Sequence, residues 1–286
     1  MRQRLPKWFR RPLPTGAEGG RVERLLGRLE LRTVCEGAKC PNRAACWGSG
    51  AAAFLILGSA CTRDCRFCAI PHEAAPPAPD SGEPARVAAA AAEMGLGHVV
   101  VTSVTRDDLA DGGAGHFAAT IREIRAALPG ATVEVLVPDF RGDAAAIDAV
   151  LAAGPDVFNH NVETTRRLQA EVRPQADHGR SLAVLGRAAA AGARTKSGLM
   201  LGLGETDAEV EETLGELRTA GTKLVTLGQY LAPSAGHWPV ARYATPEEFG
   251  RWRERALEMG FDSAISAPEA RSSYHAGELL AAGRGA

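Results

Sequence analysis

From residue 52 onward the chain alternates short β-type runs with amphipathic stretches of helical period, and this alternation limits the fold more than any other feature. The pattern predicts strands over residues 52–57, 98–104, 132–137, 157–162, 195–201 and 224–231. Helices are predicted over 84–94, 114–128, 143–153, 181–191 and 207–220. A further helix is predicted over 246–259, with Thr245 as N-cap and Glu248 completing a capping box. Gly95, Gly130, Gly154, Gly192, Gly221 and Gly260 stand where left-handed C-caps are expected. Strand–helix alternation implies parallel strands with right-handed crossovers. Six such units are too few for an eight-stranded barrel and suit a partial (β/α)6 TIM-type barrel. A doubly wound sheet has the same alternation, but no G-x-G-x-x-G turn follows the first strand.

All six cysteines fall between Cys35 and Cys68 in a chain of 286 residues. An even count allows three disulfides, but a long chain without a secretory signal is expected to use clustered cysteines on metal. Net charge is −1, which gives no reason to expect nucleic acid as a partner. No apolar run approaches the roughly 18 residues of a membrane span, so a soluble cytoplasmic protein without a membrane partner is expected. Within residues 1–15, Arg2, Arg4, Lys7, Arg10 and Arg11 occur without an acid. The segment lacks helical amphipathicity and reads as a surface arm rather than a transit peptide. Residues 1–50 carry three cysteines and no clear repeat unit, and are expected to be an N-terminal extension. Five prolines between Pro71 and Pro84 make the next stretch a stiff loop.

Cys61, Cys65 and Cys68 form C-x3-C-x2-C directly after the first predicted strand. This places three thiols at a strand's carboxyl end, where α/β enzymes build active sites. Zinc usually takes four ligands as two separated pairs, whereas three thiolates on a cubane leave one iron open. Zinc or disulfides remain the alternatives at this point. With Phe67 before the last cysteine, the triplet resembles the hallmark of the radical S-adenosylmethionine (radical SAM) superfamily. The resemblance implies a 4Fe–4S cluster whose open iron holds S-adenosylmethionine and delivers the electron that breaks its sulfonium bond.

Cys35, Cys40 and Cys46 form C-x4-C-x5-C, a spacing that fits neither zinc fingers nor ferredoxin runs. The stretch C-E-G-A-K-C-P-N-R-A-A-C-W from Cys35 to Trp47 is similar to the auxiliary-cluster signature of the lipoyl synthase family. Arg271-Ser272-Ser273-Tyr274 looks like that family's R-S-S-Y motif. Likeness extends over residues 6–14, 101–113, 159–174, 196–205 and 229–239. Two departures are Ala267-Pro268-Glu269-Ala270, where the family usually has Gly-Pro-Leu-Val, and His178, where tyrosine is common. The resemblance implies a second 4Fe–4S cluster held by Cys35, Cys40 and Cys46, with Ser273 as fourth ligand. Residues 51–262 would then form the barrel, and 263–286 a tail that carries the serine.

The implied activity is that of a sulfurtransferase which inserts two sulfur atoms at C6 and C8 of a protein-bound octanoyl group. Two S-adenosylmethionine are used, and the auxiliary cluster gives up its sulfur. The implied partners are octanoylated lipoyl carrier domains, namely the glycine cleavage H protein and the acyltransferase subunits of 2-oxoacid dehydrogenases. An electron donor such as flavodoxin or ferredoxin is also implied. Thr102, Ser103 and Val104 end the second strand, where the superfamily holds the methionine amine with backbone groups, and Asn161 and Glu163, closing the fourth, would contact the ribose. Arg173 would pair with the methionine carboxylate, which a planar guanidinium matches bidentately. For each of these, capping or an internal ion pair is the alternative. Asp107, Asp108 and Asp111 beside Arg106 read as a loop network rather than a metal site. Tyr230, His237 and Trp238 are candidates for a substrate channel, with a structural histidine as the alternative. Rival functions are another radical enzyme, of biotin-synthase or methylthio-transferring type, and an electron-transfer or structural metal protein.

Overall fold

The alternation read from residue 52 is realised as six strand–helix repeats in the computed structural model, which describes residues 4–9 and 17–283. These residues fall into two units: 17–64 with 69–159, and 4–9 with 65–68 and 160–283.

In the first unit β1 (Arg32–Thr33) runs antiparallel to β2 (Ala53–Ile56). β3 (His98–Ser103), β4 (Thr132–Leu136) and β5 (Val157–Asn159) continue from β2, all parallel. The register aligns Leu55 with Thr102, Thr102 with Leu136 and Leu136 with Asn159. Parallel strands covered on both faces need continuous apolar runs, which A-F-L-I and the V-V-V of β3 provide. The helices of this unit are α1 (Glu18–Arg28), α2 (Val34–Gly37), α3 (Arg43–Gly48), α4 (Glu83–Glu93), α5 (Ala114–Ala127) and α6 (Ala144–Ala152). Phe54, Val101, Phe117, Ile121 and Val133 are fully buried, and Phe117 meets Phe140 edge-on at 6.3 Å.

The second unit holds α7 (Gln169–Val172), α8 (His178–Ala190), β6 (Thr195–Leu201), α9 (Asp207–Thr219), β7 (Leu224–Gln229), α10 (Pro246–Glu258), β8 (Ser263–Ala267) and α11 (Ala276–Ala282). β6, β7 and β8 are parallel. Leu199, Leu201, Leu214, Leu227, Phe249 and Trp252 belong to one apolar core. Thr245 and Glu248 form the expected capping box, and Thr206 with Glu209 forms another.

Several boundaries differ from the sequence reading for identifiable reasons. Gly130 is not a left-handed cap; the helix ends at Ala127, because Pro129 drives the preceding Leu128 out of helical space (φ −135°, ψ 70°). The other five glycines do adopt positive φ. β5 ends at Asn159 rather than residue 162, and Glu163 takes φ 65°, which no strand accommodates. α8 begins at His178 instead of 181, because Asp177 accepts a hydrogen bond from the Arg180 amide and caps it. The stretch before residue 50, without a visible repeat, contains β1 and three helices; Val22, Leu25 and Leu26 make the buried face of α1. Arg2, Arg10 and Arg11 of the basic arm lie outside the described residues. Lys7–Phe9 forms one helical turn, and Phe9 packs edge-on against Tyr243 at 5.9 Å. Among the described residues no helix is long and apolar enough to cross a membrane.

Candidate functional site

The chain leaves β2 through Leu57 (φ 70°) and Gly58 (φ 102°) and reaches Cys61. In the first unit the Cys61 thiol accepts backbone N–H bonds from Arg63 (3.4 Å) and Thr105 (3.3 Å). Amide donors aimed at sulfur suit a thiolate ligand. The residue is held on both sides, its N–H donating to the Pro71 carbonyl at 2.8 Å and its carbonyl accepting from Glu73 at 2.9 Å. Arg63 is 5% exposed, and its guanidinium lies between two carboxylates. It donates to Asp107 at 2.7 and 2.9 Å and to Asp139 at 2.6 and 3.0 Å. Burial opposes its charge, but the two carboxylates prevail and keep it protonated. The Thr62 hydroxyl donates to the Thr105 carbonyl and accepts from the Asp107 amide. The loop network expected around Asp107, Asp108 and Asp111 is present: Arg106 grips Asp108, and Asp111 accepts from the amides of Gly113 and Gly115.

In the second unit Cys65 and Cys68 sit on one turn, closed by the Cys68 amide on the Cys65 carbonyl (2.9 Å). Phe67 packs against the cluster of Leu168, Val172, Leu203 and Tyr230, which Trp238 also joins. His237 Nε2 donates to the Cys68 carbonyl at 3.1 Å, and its Nδ1 lies 2.7 Å from the Ser234 hydroxyl. The Trp238 amide donates to the Arg66 carbonyl, and the Arg66 guanidinium lies over the indole ring at 6.0 Å. Tyr230 Oη donates to the Trp238 carbonyl at 2.6 Å. The three residues considered as channel candidates thus brace the turn that bears Cys65 and Cys68.

The first triplet lies wholly in the first unit, with Cys35 on α2, Cys46 on α3 and Cys40 between them. The Thr33 hydroxyl caps α2 by accepting from Glu36, and the Cys40 amide donates to the Cys35 carbonyl. Burial pushes the Cys46 thiol up to about 12, and the neighbouring Cys35 and Cys40 add to the rise. Burial also raises Cys35, opposed chiefly by a backbone hydrogen bond from Ala53. The Trp47 indole N–H is buried without a hydrogen-bond partner of good geometry. Three free thiols on one short stretch of chain, with the Trp47 indole N–H buried beside them, fit an iron–sulfur cluster with a bond to sulfur. Among the described residues no group of three or more His, Cys, Asp or Glu side chains is already gathered around the position of a single metal ion.

The tail turn is closed by the Tyr274 amide on the Arg271 carbonyl (2.9 Å). Asn161 Nδ2 donates to Ser272 Oγ (2.6 Å), and that hydroxyl donates back to Oδ1 (2.9 Å). Lys196 Nζ donates to the Ser272 carbonyl at 2.6 Å. The turn's bonds therefore run through Ser272, and the half-buried Ser273 hydroxyl is left uncommitted among the described residues.

The residues considered for S-adenosylmethionine divide between the units. In the first, the Thr102 hydroxyl donates to the Leu136 carbonyl, while Ser103 Oγ is buried without a partner among the described residues. In the second, Asn161 Nδ2 also donates to Glu163 at 3.0 Å. Burial pushes the Glu163 carboxyl up, against the pull of Arg173, the Asn161 amide and Arg271. Arg173 gives Nη1 to the carbonyls of Asn161 and Val162, and its buried Nε is unpaired. Sequence reasoning missed Arg63, Lys196, Gly198 and Gly228. Lys196 had a signal, as a lysine inside the apolar strand T-K-S-G-L-M-L.

The Radical SAM superfamily model matches residues 55–217. A protein of Nitratidesulfovibrio vulgaris (strain Hildenborough) named lipoyl synthase is 55% identical over 274 residues, 96% of this chain and 91% of its own length. The lipoyl synthase of Chlorobium phaeovibrioides is 50% identical over 277 residues, covering 96% and 98% of the two chains. Among solved structures, Streptococcus suis SuiB bound to S-adenosylmethionine superposes with a TM-score of 0.56 at 10% identity. The match covers 71% of this chain and a little under half, 46%, of SuiB, and it speaks for the fold alone.

Proposed function

We propose, from the premise that this chain belongs to the lipoyl synthase family of radical SAM enzymes, a division of labour between its two cysteine triplets. The chain is a sulfurtransferase that depends on 4Fe–4S clusters and S-adenosylmethionine and acts on an octanoylated carrier. Cys61, Cys65 and Cys68 hold the cluster that meets S-adenosylmethionine. Cys35, Cys40, Cys46 and Ser273 hold the auxiliary one. On this reading residues 1–50 and 263–286 are extensions that serve the auxiliary cluster, and 51–262 are the catalytic barrel.

The target carbons are unactivated, and no side chain acts as general acid or base on an aliphatic C–H bond. When bound, the clusters and S-adenosylmethionine supply the one-electron chemistry that removes hydrogen at C6 and C8, and the sulfur that replaces it. The protein's own part is positioning. Arg63 N–H and Thr105 N–H orient the Cys61 thiol, and the Trp238–His237 brace holds the Cys65–Cys68 turn. Ser103 Oγ, with a free hydrogen bond, receives the methionine amine; Thr102 lends its backbone, its hydroxyl being engaged. Arg173 Nε, buried without a partner, would take the methionine carboxylate, and Asn161 and Glu163 would hold the ribose. The carriers are the glycine cleavage H protein and the acyltransferase subunits of 2-oxoacid dehydrogenases, the reductant a flavodoxin or ferredoxin, and the compartment the cytoplasm.

The observation that carries this reading is the second set of three free thiols, Cys35 on α2, Cys46 on α3 and Cys40 between them, for which a one-cluster radical enzyme has no use. Anaerobic reconstitution should yield about eight iron and eight sulfide per chain, and about half of each after Cys35→Ala. With reductant and S-adenosylmethionine, an octanoyl-lysine peptide should gain two sulfur atoms by mass spectrometry. A product with any other sulfur count would overturn the assignment.

A further inference from the structure

Lys196 is fully buried at the start of β6, directly after its first residue, Thr195. An ammonium is held away from water only where acceptors take up its protons, and replacement of a buried charge by an apolar side chain is often neutral or stabilising. Packing alone therefore gives no reason for a lysine at this place. Its Nζ donates to the Ser272 main-chain carbonyl at 2.6 Å. That oxygen belongs to the planar peptide unit whose other half is the Ser273 amide, so the ammonium sets the plane from which Ser273 departs.

The rest of the seat is built to the same end. Ser272 is tied to Asn161 by the paired bonds at 2.6 and 2.9 Å. The strands carry glycine where the tail comes down on them. A Cβ at Gly198 would stand 2.9 Å from Ser272 Oγ and 2.8 Å from Asn161 Oδ1. One at Gly228 would stand 2.0 Å from the Ala270 carbonyl oxygen. Every one of these contacts grips the turn, and none uses the Ser273 hydroxyl.

We infer that Lys196 is a positioning residue for the auxiliary cluster, aiming the Ser273 hydroxyl by fixing the Ser272–Ser273 peptide. The inference rests on the reading of Ser273 as the fourth ligand. On this reading Lys196 acts through the backbone, by way of the Ser272 carbonyl. Because a neutral hydroxyl oxygen is a weaker iron ligand than a thiolate, its bond depends more on placement.

The test is anaerobic reconstitution of the full chain and its Lys196→Met, Lys196→Arg, Ser273→Ala and Lys196→Met/Ser273→Cys variants. The readouts are iron and sulfide per chain, the electron paramagnetic resonance spectrum of the reduced protein, and S-adenosylmethionine cleavage without substrate. Lys196→Met should hold about four iron instead of about eight, with cleavage kept within about twofold. Lys196→Arg, which keeps a charged donor, and the double variant, whose thiolate tolerates looser placement, should both recover the second cluster. Lys196→Gln, polar but too short to reach the carbonyl, predicts the same loss and serves should Lys196→Met fail to fold. An unchanged iron content and spectrum in Lys196→Met or Lys196→Gln, with Ser273→Ala losing the cluster, would end the positioning role alone. An unchanged Ser273→Ala would end the ligand assignment beneath it. Loss that neither Lys196→Arg nor Ser273→Cys restores would mark a general packing defect and also overturn the inference.

Discussion

The His237 imidazole donates to the Cys68 main-chain carbonyl at 3.1 Å, joining residues 169 positions apart in the chain. The same loop reaches the neighbouring turn residue through the Trp238 amide and the Arg66 carbonyl. A histidine that reads in sequence as a lone structural residue is thus one bond from a proposed cluster ligand.

His237→Ala should lower S-adenosylmethionine cleavage by about 10-fold or more, in line with the loss of an outer-shell partner at other metal sites. Iron at the auxiliary site should stay at the wild-type level. An equal loss of both clusters would show that the brace serves the whole fold and not the Cys65–Cys68 turn.

Arg63 should behave differently, because its partner Asp139 is buried with it; side-chain exposure is 4% for Arg63 and 0% for Asp139. Arg63→Met removes the guanidinium that pairs with the buried Asp139 carboxylate, and breaking such a pair typically destabilises by about 3–5 kcal/mol. Denaturant unfolding of the cluster-free chain is the measurement. A shift below about 1 kcal/mol would mean that the pair holds the Cys61 loop without contributing to the fold.

The glycine seats predict a graded effect. Gly228→Ala drives a methyl into the backbone carbonyl of Ala270 and should cost about 3 kcal/mol or more, because main chain cannot turn aside. Gly198→Ala meets only the ends of two side chains and should cost about 1 kcal/mol, with iron lost selectively from the auxiliary cluster. Thermal unfolding and iron analysis of the two variants would expose a reversed order.

Cys46 gives a pH dependence with a definite sign. Its thiol is pushed up to about 12, so the folded, cluster-free chain favours the protonated form. The stability this supplies is complete below the ordinary thiol range and is lost as pH rises from about 9 toward about 12. Cluster-free protein should destabilise across that window, and Cys46→Ala should flatten the profile. Cluster loading at neutral pH should release about one proton per thiol, readable by calorimetry in buffers of different ionisation enthalpy.

Much of this molecule is local in origin. Alternating apolar runs and amphipathic segments made six strand–helix repeats readable, because parallel strands covered on both faces demand unbroken apolar residues. Both cysteine triplets were visible for a similar reason, since each set lies on a short stretch of chain and ligand spacing is a property of that stretch. The capping box at Thr245 and Glu248 is equally local. The misread ends were decided by competition nearby: Pro129 halting a helix ahead of Gly130, and Asp177 capping one turn early.

Tertiary structure alone decided which side chains stand behind the ligands. Lys196 meets Ser272 across 76 positions, His237 meets Cys68 across 169, and Arg63 meets Asp139 across 76. No periodicity or spacing encodes such pairs, because they exist only once strands and loops have come together. Residue type marked where iron can bind; packing of distant segments set how firmly each ligand is aimed.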